Sequence, residues 1–258
     1  MDVILNEREW AQERIREKKL GAKPFTTLKT VAKYYFEQYG DADVVREKLE
    51  SFLLACSPEA SLVKWSKTLD RAAARASGEE LVQIDYIPVT QDELDCICVL
   101  DSIRCQRLAF TLLCLAKYTD EIRGLSGWVD GGDGSIIKLA NVNITTRQRD
   151  RYYHDMYLKG LIQPSGKVDS SMVKVLFIDN GGHPAMKIDD FRNLGYQFQE
   201  YMGGDFYHCA NCGIVVPVRS TKGRPAKYCS DCAAKIRIRQ SVDSVMRRRI
   251  SEEEKREG

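Results

Sequence analysis

Four of the nine cysteines in this chain of 258 residues stand as two C-x-x-C pairs, Cys209/Cys212 and Cys229/Cys232, in the pattern C-x2-C-x16-C-x2-C. Two residues between paired cysteines let one turn aim both sulfurs at a single ion while backbone N–H groups face those sulfurs. The pattern therefore predicts tetrahedral Zn²⁺ held by four thiolates. Gly213 follows the first pair and supplies the backbone freedom of a knuckle, whereas Ala233 occupies the matching place after the second. Ile214, Val215, Val216 and Val218 read as a strand, and Gly223-Arg224-Pro225 as the turn before a strand that delivers Cys229. The expected fold over 205–233 is a zinc ribbon. Four protein ligands leave no position for a reacting water, so the zinc is expected to be structural rather than catalytic. His208 adjoins the first ligand but is surplus to the set and is expected at the surface or beside the site.

The remaining cysteines, Cys56, Cys96, Cys98, Cys105 and Cys114, lie in apolar helical sequence and read as small buried hydrophobes. An odd cysteine count fits a reducing compartment better than a secreted disulfide framework. The opening MDVILNEREW lacks the basic flank of a signal peptide. The longest apolar run, Leu108 to Ala116, spans nine residues, whereas a bilayer span needs about twenty. A cytoplasmic protein with no membrane partner is expected.

Charge sharpens the picture. The net charge of +2 divides at Gly213: residues 213–258 carry twelve Lys or Arg against six Asp or Glu, a net of +6, which leaves the preceding 212 residues at −4. Arg219, Lys222, Arg224, Lys227, Lys235, Arg237, Arg239, Arg247, Arg248 and Arg249 are opposed between 218 and 250 only by Asp231 and Asp243. That is the composition of an anion-binding segment. Ala233 to Ile250 reads as a basic helix (234–258 with its tail) that docks through a stripe of Ile238, Val242 and Val245 and offers its cations to phosphates.

The fold class expected is mainly α with small β. Residues 1–78 read as a helical N-terminal unit: Glu7–Leu20; a second helix capped by Thr26 or Thr27 and carrying Leu28, Val31, Ala32, Tyr35 and Phe36 up to Gly40; a third capped by Asp41; and a fourth over 60–76. This unit carries no obvious reactive group and reads as scaffold or partner-binding surface. Leu81–Val89 alternates like a strand, with Pro88 pointing to an edge. Thr90 and Glu93 form a capping box, and the helix over 103–118 is apolar enough to be central in the core.

From Arg107 the order of elements is informative: a buried helix, the glycine-rich GWVDGGDG, a short helix over 135–140, a longer one from about 146 to 159, and two short strands, Leu161–Gln163 and Met172–Ile178, around a turn beginning at Pro164. This predicts a winged helix-turn-helix-like domain within 79–204. Stepping the third helix at about 100° per residue puts Thr146, Tyr153, Met156 and Tyr157 on a seating face. Arg147, Gln148, Arg151 and Asp155 then point outward. Arg147, Gln148 and Arg151 are the residue types that reach base edges and phosphates from the first half of a recognition helix. Asp130–Gly134 lacks the alternating acids and terminal Glu of a calcium loop and reads as a turn with Asp133 or Ser135 as a cap.

The segments Arg107–Tyr118, Gly127–Val129, Val175–Asp179 and Asp190–Gln197, with the terminal C-x-x-C-G and K-Y-C-x-x-C, resemble a group of proteins of unassigned chemistry encoded by phages and integrative elements of Firmicutes. The resemblance covers about 90–230 and implies a mobile-element origin, a bacterial host cell and a DNA-associated role. Some relatives carry a further cysteine pair, which this chain lacks. The leading expectation is a DNA-binding (or RNA-binding) regulatory protein with a structural zinc. The alternative is a phage inhibitor that binds a host nucleoprotein complex, such as a CRISPR effector or RNA polymerase, through the N-terminal helices or the basic tail. No catalytic residue is expected: His154, His183 and His208 form no nuclease-like or paired-ligand pattern, Tyr153 falls on the seating face, and no phosphate-binding fingerprint occurs.

Overall fold

The structure is a computed structural model that describes residues 3–129, 133–167, 170–218 and 226–257. It is mainly helical with small antiparallel sheets and divides into two compact units, Asp2–Ile87 and Pro88–Gly258. None of its described helices is long and apolar enough to cross a membrane.

The first unit holds α1 (Glu7–Glu17), α2 (Pro24–Tyr39), α3 (Ala42–Cys56) and α4 (Leu62–Ala76). Their cores meet at Ala11, Leu28, Val31, Val45, Leu49, Phe52, Leu53, Leu69 and Ala72. Asp41 caps α3 as expected, accepting from the N–H groups of Asp43 and Val44. Thr26 and Thr27 lie inside α2 instead of capping it, because Pro24, with no N–H to satisfy, opens the helix. Thr27 donates to the Leu20 carbonyl at 2.7 Å. Residues 82–84 belong to this unit: Glu7 N donates to Val82 O and Ile84 N to Leu5 O, both at 2.9 Å. The Glu7 carboxylate also accepts from Val82 N at 2.9 Å and from the buried Lys33 ammonium. The unit boundary thus falls between Ile87 and Pro88 rather than after 78, since backbone pairing with the chain start holds this segment. The alternating stretch 81–89 is accordingly an isolated bridge at Gln83 followed by a short strand.

The second unit begins within that strand, β1 (Ile87–Thr90), at Pro88, and continues with α5 (Gln91–Cys98) and α6 (Ile103–Arg123). Thr90 and Glu93 make the expected capping box. Every residue of α6 from Arg107 to Thr119 is buried, so this helix is the centre of the unit. Around it pack β2 (Trp128–Val129), α7 (Asp133–Leu139) and α8 (Thr146–Leu158). β3 (Ile162–Pro164), β4 (Val173–Val175) and β5 (Pro184–Ile188) precede α9 (Leu194–Tyr201), and β5 pairs with β1. β6 (Phe206–His208), β7 (Val215–Pro217) and α10 (Ser230–Glu257) complete the chain. The strands β2, β4 and β3 form one antiparallel sheet in that spatial order, with Trp128 opposite Lys174 and Gln163 opposite Lys174 on its other side. GWV is therefore partly strand, not all turn: Gly127 at φ 85° lets its N–H reach the Asp120 carboxylate at 2.8 Å while Val175 N donates to its carbonyl at 2.9 Å. Residues 130–132 of the glycine-rich stretch lie outside the described residues, and the helix after them starts at Asp133, two residues before the expected 135.

A buried ion pair anchors this unit. The Lys117 ammonium, 5% exposed, donates to Glu93 Oε2 at 2.8 Å, Pro88 O at 2.8 Å and Asp179 O at 3.0 Å. Glu93, fully enclosed, also accepts from Thr90 N at 2.8 Å and Asp179 N at 2.7 Å. Nothing in the sequence pattern pairs these residues.

α9 lies so close to the end of α7 that position 195 tolerates no side chain: a Cβ there would stand 1.9 Å from the Ala140 carbonyl oxygen and 2.8 Å from Arg107 Nε. Gly195→Ala is expected to lower the unfolding free energy by about 1–3 kcal/mol through forced separation of packed backbone. Urea denaturation reads the change, and an unaltered midpoint would mean that α9 moves away without cost.

The five cysteines outside the pairs do not all share a fate. Cys105 and Cys114 are buried, and burial raises both thiols, Cys105 to about 12. Cys56 and Cys96 are only half-buried and Cys98 is exposed. The last two sit on the short α5, whose inward face is supplied by Glu93, Leu94 and Ile97.

Candidate metal centre and basic surface

Cys209, Cys212, Cys229 and Cys232 come together as the spacing predicts: their sulfurs all lie within 4.8 Å of one another. The Cys212 and Cys229 sulfurs are 3.8 Å apart, the separation expected of two thiolates each about 2.3 Å from one tetrahedral Zn²⁺. The donor set and its compactness fit a four-thiolate metal ion.

The two pairs are delivered differently. The hairpin β6–β7 carries the first at its turn. Cys209 N donates to Ile214 O at 3.0 Å and Gly213 N returns to Cys209 O at 2.8 Å. That closure requires the left-handed backbone of Gly213, φ 73°. The second pair needs no glycine, because it is the N-terminus of a helix. Cys229 sits just before α10 and Cys232 in its first turn. Cys232 N points at the Cys229 sulfur at 3.5 Å, and Ala233 N makes the first helical bond to Cys229 O at 2.9 Å. The described part of the centre is thus a hairpin and a helix start: no strand leads into Cys229 among the described residues 226–228, and the turn expected at Gly223-Arg224-Pro225 lies outside the described residues. A helix N-terminus concentrates N–H donors and positive potential, which suits thiolates.

Further donors surround the sulfurs. Cys229 N points at the Cys209 sulfur at 3.2 Å, and the Asn211 side-chain amide at that of Cys232 at 3.2 Å. Burial acts to raise the Cys209 thiol, but the N–H groups of Cys229, Asn211 and Cys212 together outweigh it and bring the thiol to about 6. At Cys232 the Asn211 amide favours the thiolate, but burial and the three neighbouring sulfurs prevail and push it up to about 12. The physical content is that four sulfurs this close share charge poorly; a divalent cation removes that conflict. His208 is not among the ligands: its ring is exposed and faces Glu200 Oε1 at 2.9 Å.

The cysteine hairpin is clasped to the body of its unit by residues for which the sequence pattern predicted no such role. Arg192 Nη2 donates to Cys212 O at 2.8 Å and Asn193 Nδ2 to Val215 O at 2.9 Å. Asn193 in turn accepts from Asn141 Nδ2 at 2.7 Å. Arg107, largely buried, donates to the carbonyls of Ala140 and Asn141 and lies 4.8 Å over the Tyr196 ring. Burial lowers the pKa of Arg107. These contacts explain why 205–233 stands in one compact unit with α6 instead of as a separate body.

On α8, Arg147 and Arg151 are exposed as expected. Gln148 is exposed too, but its Oε1 is committed to capping: it accepts from Thr145 N at 3.0 Å while Gln148 N donates to Thr145 Oγ1 at 3.3 Å. The seating face is rotated from the expected one. Met156 is buried and Arg149, Tyr152 and Tyr153 are half-buried, whereas Thr146 and Tyr157 are exposed. Tyr152 explains the rotation, with its hydroxyl hydrogen-bonded to Ser102 Oγ at 3.2 Å and its carbonyl facing the Cys105 sulfur.

Of the C-terminal cations, Lys227, Lys235, Arg237, Arg239, Arg247 and Arg248 are exposed. Arg219, Lys222 and Arg224 lie outside the described residues, as does the side chain of Arg249. α10 does not dock on its own unit through Ile238, Val242 and Val245. These are 65%, 51% and 50% exposed, and none of the described side chains from Ala234 to Arg248 is buried.

Compared with family models, with curated proteins and with solved structures, the chain matches none.

Proposed function

We propose that the second unit is a DNA-binding regulatory module in which residues 103–175 form a winged helix-turn-helix, α8 enters the major groove, and the four cysteines hold a structural Zn²⁺. The observation that carries this reading is topological. Helix, strand, helix, helix, strand, strand follow one another from α6 to β4, and the last strand lies between the other two. Such an order places a hairpin beside the helix that precedes it, so that helix and wing address one surface. Arg147 and Arg151, one turn apart and exposed in the first half of α8, supply bidentate donors for guanine edges or phosphates. Lys167, exposed in the turn that follows β3, supplies a cation to the wing. Exposed cations on α10 add sequence-independent attraction. A phage or integrative-element origin rests on the resemblance of the segments described above.

Binding of the full-length protein to duplex DNA is expected to weaken steeply with salt, and Arg147→Ala/Arg151→Ala to weaken it by about ten- to a hundredfold, the loss of one or two good groove contacts. Because both side chains are exposed and α8 keeps its cap and its Met156 anchor, the melting temperature is expected to be unchanged. Gel shifts at several salt concentrations make the measurement. Absence of binding to free duplex, or binding indifferent to the double substitution, would overturn the assignment of α8.

A further inference from the structure

Two asparagines of the second unit, Asn141 and Asn193, have left-handed backbones, φ 53° and 56°, a conformation that glycine adopts freely and other residues at a cost. What each position keeps by not being glycine is an amide, and the two amides meet: Asn141 Nδ2 donates to Asn193 Oδ1 at 2.7 Å. Asn193 Nδ2 donates in turn to Val215 O at 2.9 Å. A carbonyl only accepts, so the Val215 contact fixes which way the Asn193 amide faces, and that fixes the Asn141 amide. Turning Asn141 over would oppose two oxygens. Its own Oδ1 accordingly stays buried with no hydrogen-bond partner among the described residues, and the bond to Asn193 is kept despite that cost.

This relay joins two places in the unit. At one end is the cysteine hairpin: Arg192 donates to the carbonyl of Cys212 at 2.8 Å, so residues 192 and 193 grip the hairpin on both sides of Gly213-Ile214. Arg192 is itself steadied by Asp190 Oδ2, 2.8 Å from its Nε. At the other end is the link between α7 and α8, where Arg107 donates to Ala140 O and Asn141 O and α9 abuts the Ala140 carbonyl at Gly195. We propose that Asn193 is a positioning residue through which metal occupancy of the four-cysteine centre orders the link between α7 and α8. The proposal rests on the reading that the four cysteines hold Zn²⁺ and does not depend on whether α8 contacts DNA. If α8 does so, the relay makes that contact zinc-dependent, because the link directly precedes α8. The hairpin has little apolar core to hold its carbonyls in place: of residues 206–217 only Cys209 and Val215 are buried. Metal loss therefore releases Val215 O, and the Asn193 amide loses the contact that orients it toward Asn141. α9 stays on the body through Phe198, whose ring centroid lies 5.1 Å from that of Phe110. What reaches the link is thus an amide orientation and not the loss of a helix. Coupling of this kind is reciprocal, so breaking the relay also weakens the metal.

Hydrogen exchange of the full-length protein with and without Zn²⁺ tests the proposal, together with Zn²⁺ affinity by chelator competition. The readout is the amides of Ala140, Asn141 and Val142, which donate to Ile136 O, Lys138 O and Ile137 O. In the wild type Zn²⁺ is expected to slow their exchange by about tenfold, the worth of one buried hydrogen bond. Asn193→Gly and Asn141→Gly each remove one amide while suiting the left-handed backbone, and Asn193 begins α9 without a side-chain cap bond, so both variants are expected to fold. In Asn193→Gly the three amides are expected to exchange alike with and without Zn²⁺. Asn141→Gly is expected to bind Zn²⁺ about three- to tenfold more weakly, although the substitution lies in another segment from the ligands. A residue that only stabilised the unit would shift exchange equally in both metal states. Wild-type exchange indifferent to Zn²⁺, a full zinc response in Asn193→Gly, or wild-type affinity in Asn141→Gly would overturn the proposal. A wild type that takes up no Zn²⁺ would overturn the metal reading and the relay together, and metal content shows this before any exchange is measured.

Discussion

Cys229→Ser is expected to release the metal and unfold the C-terminal part of the second unit while leaving α1–α4 folded. Structural zinc sites in small motifs contribute about 10–16 kcal/mol of apparent binding energy at neutral pH, far more than the few apolar contacts of the cysteine hairpin supply. Among the described residues of 205–233 only Cys209, Val215 and Cys232 are buried, and two of these three are ligands. Without the ion, Cys229 no longer joins hairpin to helix, and α10 loses the contact that starts it. Elemental analysis, circular dichroism and limited proteolysis of wild type and variant read the three consequences. Zinc-free wild type that keeps its C-terminal fold would remove the structural-zinc assignment. The pH dependence has a definite sign. Thiolates, not thiols, bind the ion, and with Cys209 at about 6 and Cys232 pushed up to about 12 in the cluster, metal entry at neutral pH displaces protons. Affinity therefore rises with pH. Acidification weakens binding progressively, as protons compete with the ion for the thiolates, and the metal-linked stability present at neutral pH is lost at low pH.

Lys117→Met is expected to destabilise the second unit by about 3–5 kcal/mol, the cost of leaving a buried charge without its partner. Glu93 keeps its two backbone donors, Thr90 N and Asp179 N, but they do not neutralise the carboxylate. The Pro88 and Asp179 carbonyls also lose their donor. The segments that diverge are the start of β1, the α5 cap and the stretch after β4. Hydrogen exchange should show those amides losing protection together, and chemical denaturation gives the magnitude. Adding Glu93→Gln, which retains an acceptor for Thr90 N, is expected to recover part of the loss. Full stability in Lys117→Met alone would mean that water or a side-chain shift satisfies Glu93.

By itself, the sequence was sufficient for several features that depend on short range. The cysteine spacing brings four sulfurs together, Thr90–Glu93 and Asp41 cap their helices, Gly40 ends α2, and the unbroken apolar character of Leu108–Ala116 marks the central helix. The caps, the helix end and the geometry within each cysteine pair follow from backbone geometry within a turn or two, and the central helix from its composition. Only the tertiary structure decided what rests on meetings across long separations. Lys117 finds Glu93 and Asp179, segment 82–84 pairs with residues 5–7, and Asn193 and Arg192 clasp the cysteine hairpin. The same holds for faces. Helical periodicity gave α8 a seating face, but the Tyr152–Ser102 contact, 50 residues apart, set its rotation. An apolar stripe on α10 was legible in sequence, whereas its exposure was not, because a stripe specifies a need for burial and only packing specifies whether the same chain meets it.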